Sequence, residues 1–272
     1  VLVDIIKFTK ITITLPKAGQ SMSEHVIILA FVFIYGILIG SFLNVCILRI
    51  PEGESIITGR SHCDQCNSKI KWYDLIPIFS YIILRGRCRN CKTKISIQYP
   101  MIEALNGILY VLVFYYLGIN VLSILYCLVI SALIVLSMID LRTNTIPFGI
   151  NIFIACMGIV CLAIDYRHFY FYILGFFAVS SILYLIYLIT KGNGIGGGDI
   201  KLMAAAGLVL GWKLILLAFF LGCIYGSIVH PIRMRIQKQS KVLAFGPYLS
   251  IGIVTAMFFG NEMIHWYVKS FF

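Results

Sequence analysis

The sequence predicts an all-α polytopic membrane protein: about eight spanning helices, with one small polar insert after the first. Three observations carry that prediction. The chain is 60% hydrophobic and only 12% charged over 272 residues. Long apolar runs recur along it, and residues 49–100 are the only sizeable polar stretch between them. That composition excludes a soluble domain. The formal charge of +11 would suit nucleic acid, but a membrane protein reaches the same excess by keeping Lys and Arg in its cytoplasmic loops, so no nucleic-acid partner is expected.

Residues 1–24 are amphiphilic and irregular, with Met22 as an alternative start, and read as an N-terminal extension without an assigned role. The first spanning helix is placed at 25–48. Gly36 and Gly40 sit in it at small-xxx-small spacing, which lets a neighbouring helix approach closely. Arg49-Ile50-Pro51 is expected to end it, through proline and charge. Residues 101–272 then form a seven-helix core, with spans at 101–119, 121–139, 147–164, 169–190, 200–211, 213–230 and 247–268. Cys46, Cys127, Cys156, Cys161 and Cys223 lie inside apolar stretches and read as packing residues.

Orientation follows from the basic residues. With the N-terminus outside, inside segments hold sixteen Lys and Arg: nine in 49–100, then Arg142, Lys191, Lys201, Arg233, Arg235, Lys238 and Lys241. Outside segments hold six, three of them in the N-terminal extension. This distribution puts both termini outside and the polar insert on the cytosolic side.

Within the insert, Cys63-Asp64-Gln65-Cys66 is followed after 21 residues by Cys88-Arg89-Asn90-Cys91. Each two-residue gap can turn a pair of sulfurs toward one tetrahedral ion, so the four cysteines resemble a zinc site. A pair of disulfides or redox-active thiols is the competing reading; a reducing cytosol disfavours the disulfides. The metal is expected to be structural, because an insert of about fifty residues buries too little core to hold itself. Between the knuckles, 71–84 is apolar but too short to span, so it reads as interfacial or re-entrant with Trp72 and Tyr73 at headgroup level. The basic run from Arg85 to Lys94 is expected to meet anionic membrane lipid.

Two acids stand at the edges of apolar helices. Asp140 closes Ser137-Met138-Ile139-Asp140-Leu141-Arg142, and Asp199 follows the glycines of Gly194-Ile195-Gly196-Gly197-Gly198-Asp199. An ionisable carboxyl within the membrane boundary costs roughly 2.5–3.5 kcal/mol on insertion scales, which makes each a functional-site candidate. Each also has a plain reading, Asp140 as a helix-end residue paired to Arg142 and Asp199 as a helix cap after a flexible loop. Together on one membrane face they suggest aspartyl hydrolysis, one carboxylate activating water while its protonated partner polarises a peptide carbonyl. Asp199 is expected just before the first turn of its helix, after glycines suited to close approach and positive φ. Helix dipoles then place the shared proton on Asp140. There is no HExxH and no GxSxG, and Gly192-x-Gly194-x-x-Gly197 lacks a strand-helix setting. Two other classes stay open: an ion or solute transporter using both carboxyls as intramembrane ligands, and a non-enzymatic zinc-ribbon membrane adaptor.

Seven ordered motifs resemble the bifunctional type IV prepilin peptidases, GxGD-type membrane aspartyl peptidases that also N-methylate their product. They are Gly40-Ser41-Phe42-Leu43-Asn44-Val45-Cys46 with Arg49-Ile50-Pro51; the CxxC pairs around Trp72-Tyr73-Asp74-Leu75-Ile76-Pro77; Gly86-Arg87-Cys88; Tyr99-Pro100-Met101-Ile102-Glu103; Ile139-Asp140 with Ile146-Pro147; Gly196 to Leu202; and Phe245-Gly246-Pro247-Tyr248-Leu249. The resemblance implies that Asp140 and Asp199 carry cleavage, that Cys63, Cys66, Cys88 and Cys91 hold zinc, and that Gly86 serves methyl transfer from S-adenosylmethionine. It implies a substrate too, the basic leader of a prepilin or pseudopilin cut on the cytosolic side of a bacterial inner membrane. Phe148 and Arg142 depart from the family pattern, where many relatives carry a polar residue and a second acid. Glu103 and Asp74 are further polar residues at the junction of insert and membrane, equally readable as interface anchors.

Overall fold

The computed structural model describes residues 22–59, 61–63, 65–237 and 243–271. The predicted N-terminal extension lies outside them except for the start of the first helix, as do Arg60, Lys238 and Lys241 of the inside charge count. The described residues are helical, and their only β pairing is two isolated bridges in the insert. They fall into two compact units, one ending at Val135 and the other beginning at Leu136.

In the first unit, α1 (Met22–Glu52) packs along α3 (Gln98–Leu117). The predicted glycine seam is the contact: a Cβ at Gly36 would come within 2.7 Å of the Gly107 backbone, and one at Gly40 within 2.7 Å of the Glu103 backbone. Lipid offers no hydrophobic force to join helices, so close backbone approach and buried polar bonds do that work. Asn106 donates to the Gly36 carbonyl at 2.7 Å, and its own oxygen accepts from Ser131 at 3.0 Å, which in turn meets the Tyr110 hydroxyl at 2.9 Å. Ser131 lies on α4 (Val121–Thr143), which starts behind an Asn120 cap and runs on past Val135.

α1 does not stop at Pro51 as expected. A proline in the last turn forfeits only one bond, and termination falls instead to Gly53 at φ +70°. Its N–H bonds Ile50 and that of Glu54 bonds Arg49, a glycine-terminated helix end. The insert carries a 3₁₀ turn at Trp72–Leu75 and the five-residue α2 (Phe79–Ile83). Trp72, Phe79, Ile82 and Ile83 are exposed, as an interfacial segment requires.

The second unit holds α5 (Phe148–Ile164), α6 (Phe169–Ala178), α7 (Ser180–Ile189), α8 (Gly197–Gln237) and α9 (Gly246–Phe271). The 41-residue α8 breaks at Gly211, where φ +74° and ψ 172° are open only to glycine. Before the break it packs on α5 and α6, with Gly207 directly against Gly175; after it, on α9 through Ala218 and Gly222.

Five helical stretches are long and apolar enough to cross a membrane, and Phe148–Ile164 is a shorter apolar one. With α6 and α7 taken together and α8 divided at Gly211, helices stand at all eight predicted segments, α9 being outside the five long apolar stretches. The predicted packing cysteines divide: Cys46, Cys127 and Cys161 are buried, whereas Cys156 and Cys223 lie on the outer surface of their helices.

Candidate active site and metal centre

Asp140 sits in the last turn of α4, 4% exposed, and Asp199 in the first turn of α8, 9% exposed. Both belong to the second unit and lie within electrostatic reach of one another. The loops that deliver them interlock. A Cβ at Gly198 would come within 2.8 Å of Ile146, the residue that with Pro147 leads from Asp140 into α5. From the first turns of α5, Asn151 donates to the Gly198 carbonyl at 3.4 Å. Gly196 is equally confined, since a Cβ there would lie 3.0 Å from Asp199 Oδ2. These glycines provide room, not positive φ: in this loop only Lys191 and Gly192 are left-handed.

Two details correct the sequence reading. Asp199 lies inside the first turn, its N–H bonded to the Gly196 carbonyl at 3.1 Å. Asp140 Oδ2 accepts the Gly246 N–H at 2.9 Å, so the N-terminus of α9 faces that carboxyl. Asp140 thus meets a negative helix end through its backbone and a positive one through its side chain, and dipoles no longer assign the proton between the two acids. Gly246 was visible in the sequence only as part of a motif. A Gly-Pro step opening a helix leaves its first N–H groups free to bind an anion, which was the available signal. Asn151 was missed, although an amide inside an apolar span is itself a signal. Its Oδ1 and Asp199 Oδ1 are both buried without a hydrogen-bond partner among the described residues. Buried acceptors rarely stay unpaired, so both oxygens are suited to water or a substrate N–H.

In the first unit, Cys63, Cys66, Cys88 and Cys91 converge, all four sulfurs within 4.8 Å of one another and Cys63 to Cys91 at 3.8 Å. Zn–S bonds of about 2.3 Å in a tetrahedron demand sulfur separations near that value. The two knuckles repeat one backbone pattern. Cys63 and Cys88 donate to the residues five further on, Ser68 and Thr93, and accept from the left-handed Asn67 and Lys92. Bridges His62–Lys69 and Arg87–Lys94 close each knuckle at the same relative positions.

The surroundings act on the thiols unequally. The Ser68 hydroxyl, 3.0 Å from Cys66, holds that thiol down at about 6. The Cys91 and Asn90 amides lower Cys88. The Cys66 and Gln65 amides favour the Cys63 thiolate too, but desolvation and the neighbouring Cys66 and Cys88 thiols outweigh them and push it up to about 11. Together the four converging sulfurs form a donor set that a soft divalent cation fits.

Gly86 belongs to a turn. With Arg85 (φ +52°) and Gly86 (φ +65°) both left-handed, α2 ends through Gly86 N–H to Tyr81 O at 2.9 Å. A Cβ at Gly86 would strike the Tyr81 hydroxyl at 2.9 Å. The turn explains why this position takes a glycine. Asp74 forms a bidentate pair with Arg89 at 2.8 and 2.6 Å, and Glu103 is buried on α3.

Comparison with known proteins bears on the whole chain. Residues 34–117 match the bacterial peptidase A24 N-terminal domain, and residues 127–230 match the type IV leader peptidase family. The chain is 34% identical to a prepilin leader peptidase/N-methyltransferase of Bacillus subtilis, covering 89% of this chain and 98% of the relative. Proteins of the same name from Aeromonas salmonicida and Legionella pneumophila are 31% and 28% identical, over 89% and 86% of this chain and 94% and 92% of theirs. No solved structure matches significantly. Tandem family matches, together with 34% identity along nearly the full length of a relative, make this multi-pass membrane protein a member of the type IV leader peptidase family.

Proposed function

We propose that the chain is a prepilin leader peptidase of the bacterial inner membrane, cleaving the basic leader from type IV prepilins or pseudopilins with Asp140 and Asp199 and N-methylating the new N-terminus. The observation that carries the reading is the interlock of the two acidic loops: Gly198 seated on Ile146, and Asn151 bonded to Gly198, in the unit that also holds Asp140. The names of the relatives and of the family supply substrate and reaction class. Nothing in them supports a transporter.

The chemistry follows from two neighbouring carboxyls sharing one proton. The ionised one takes a proton from water as its oxygen attacks the scissile carbonyl carbon. The protonated one gives its proton to the carbonyl oxygen; as the tetrahedral intermediate collapses it takes a hydroxyl proton back, while the first carboxyl passes the proton it took from water to the nitrogen, which leaves as the amine. The Gly246 N–H fixes one oxygen of Asp140 throughout, and the unpartnered Asp199 Oδ1 is free for water. The basic residues of the inside segments suit a cytosolic active face, where a positively charged leader stays at the anionic surface while the apolar segment behind it lies in lipid. Zinc held by Cys63, Cys66, Cys88 and Cys91 would staple the insert and supply no chemistry. S-adenosylmethionine is the expected methyl donor, and no step is assigned to it here.

The test is cleavage of a prepilin by the purified protein in lipid, comparing Asp140→Asn with Asp199→Asn. Each variant should lose about 10²–10⁴-fold in rate, the usual share of a general acid or base. Full cleavage by both would refute the mechanism, and full cleavage by one would move the search to another acid.

A further inference from the structure

Glu103 is a buried carboxyl that the peptidase chemistry does not use. It lies on α3, 6% exposed, and its carboxylate accepts the Ile78 N–H at 2.8 Å. Ile78 is the unusual partner. At φ +62° and ψ −55°, with Phe79 N–H bonded to Pro77 O at 2.6 Å, it is the centre of a γ-turn of the rare hand. A β-branched residue at positive φ is a genuine outlier, and such a conformation persists only where its surroundings hold it.

The turn lies at the head of a short rigid path. α2 begins at Phe79 and ends in the left-handed Arg85-Gly86 pair, where Gly86 O accepts the Ile95 N–H at 2.8 Å and Cys88 follows two residues later. Five helical residues offer little slack between the Ile78 amide and Gly86. We propose that Glu103 is a positioning residue for methyl transfer: by holding the Ile78 amide it keeps the γ-turn closed and so sets Gly86 and the second cysteine pair. This rests on the reading above that the protein N-methylates its product, and on the part in that step that the family resemblance implies for Gly86.

The experiment uses full-length protein in lipid, with cleavage and methyl transfer measured separately. Glu103→Ala should lower methyl transfer at least about tenfold, the weight of one hydrogen bond to a charged group, and leave cleavage within about twofold. Glu103→Gln should keep methyl transfer, because its amide oxygen accepts the same N–H. Ile78→Gly placed in the Glu103→Ala background should restore it to within about threefold of wild type, since glycine enters positive φ without being held. Unchanged methyl transfer in Glu103→Ala, parallel loss of both activities, or no rescue by Ile78→Gly would each overturn the proposal.

Gly86→Ala separates the two readings. If it abolishes methyl transfer and Glu103→Ala does not, the positioning role alone fails. If the wild type transfers no methyl group, the functional reading fails, and the geometry is then judged by proteolysis across 76–86: Glu103→Ala should open this segment and Ile78→Gly reclose it, and no change would overturn the positioning role as well.

Discussion

Gly246 donates its backbone N–H to Asp140 Oδ2 at 2.9 Å, tying the end of α4 to the start of α9. A side chain at Gly246 would intrude on the same contact, since its Cβ would stand 2.8 Å from that oxygen. Gly246→Ala is therefore expected to displace the carboxyl and slow prepilin cleavage by about 100-fold, the cost of a misplacement near 1 Å. Methyl transfer to a precut substrate should be unchanged, and the two rates measured side by side check this.

Asn151 is a milder case. Asn151→Ala removes the donor to the Gly198 carbonyl and an unpartnered acceptor next to Asp199. Loss of one neutral hydrogen bond is worth about 1 kcal/mol, so cleavage should fall about fivefold, and Asn151→Gln should not match the wild type, because its amide is displaced by a methylene. Steady-state kinetics on the two variants decide it.

The seam between α1 and α3 makes a stability prediction. Gly36→Val would drive its Cβ into the Gly107 backbone and pull the Gly36 carbonyl from Asn106. Overpacking of this kind costs about 1–3 kcal/mol, expected as a lower thermal midpoint in detergent with the insert still able to load zinc.

Removing metal should act on the insert alone. Chelation of zinc-loaded protein is expected to expose Cys63, Cys66, Cys88 and Cys91 to a thiol reagent and 53–97 to protease, while the spanning helices stay protected. A stretch this short has too little core to survive without its staple. Thiol titration before and after chelation reads the change.

The pair between Asp74 and Arg89 predicts a pH dependence. The Arg89 hydrogen bonds hold the Asp74 carboxyl below its ordinary range. Its contribution is therefore complete above the ordinary carboxylate pKa of about 4 and disappears as pH falls through the lowered folded value. Protease resistance of wild type over Asp74→Asn should stay constant from neutral pH to about 5 and shrink below about 4. Acid release of metal affects both proteins, so the difference isolates the pair.

Much of this was legible in the sequence because hydrocarbon permits few solutions. A bilayer forces helices of known length, which is why the helical segments could be placed from apolar runs. The acids were legible because an intramembrane carboxyl is costly, and the cysteines because CxxC spacing is tied to tetrahedral geometry. Backbone detail was not. The Gly246 amide reaches Asp140 across 106 residues of chain, the rare-handed turn at Ile78 sits on a residue type that disfavours it, and left-handed Asn67 and Lys92 shape the knuckles without any periodic signal. Each depends on a partner that the local sequence does not name.

The single left-handed residue at Gly211 decides how α8 is to be counted. A straight helix of 41 residues would reach about 60 Å, twice the apolar depth of roughly 30 Å that a bilayer offers. Turned back at Gly211, the same stretch would make an outward and a return leg, which is what the orientation proposed from the basic residues requires of Arg233 and Arg235. A residue unable to turn there would leave that orientation one crossing short.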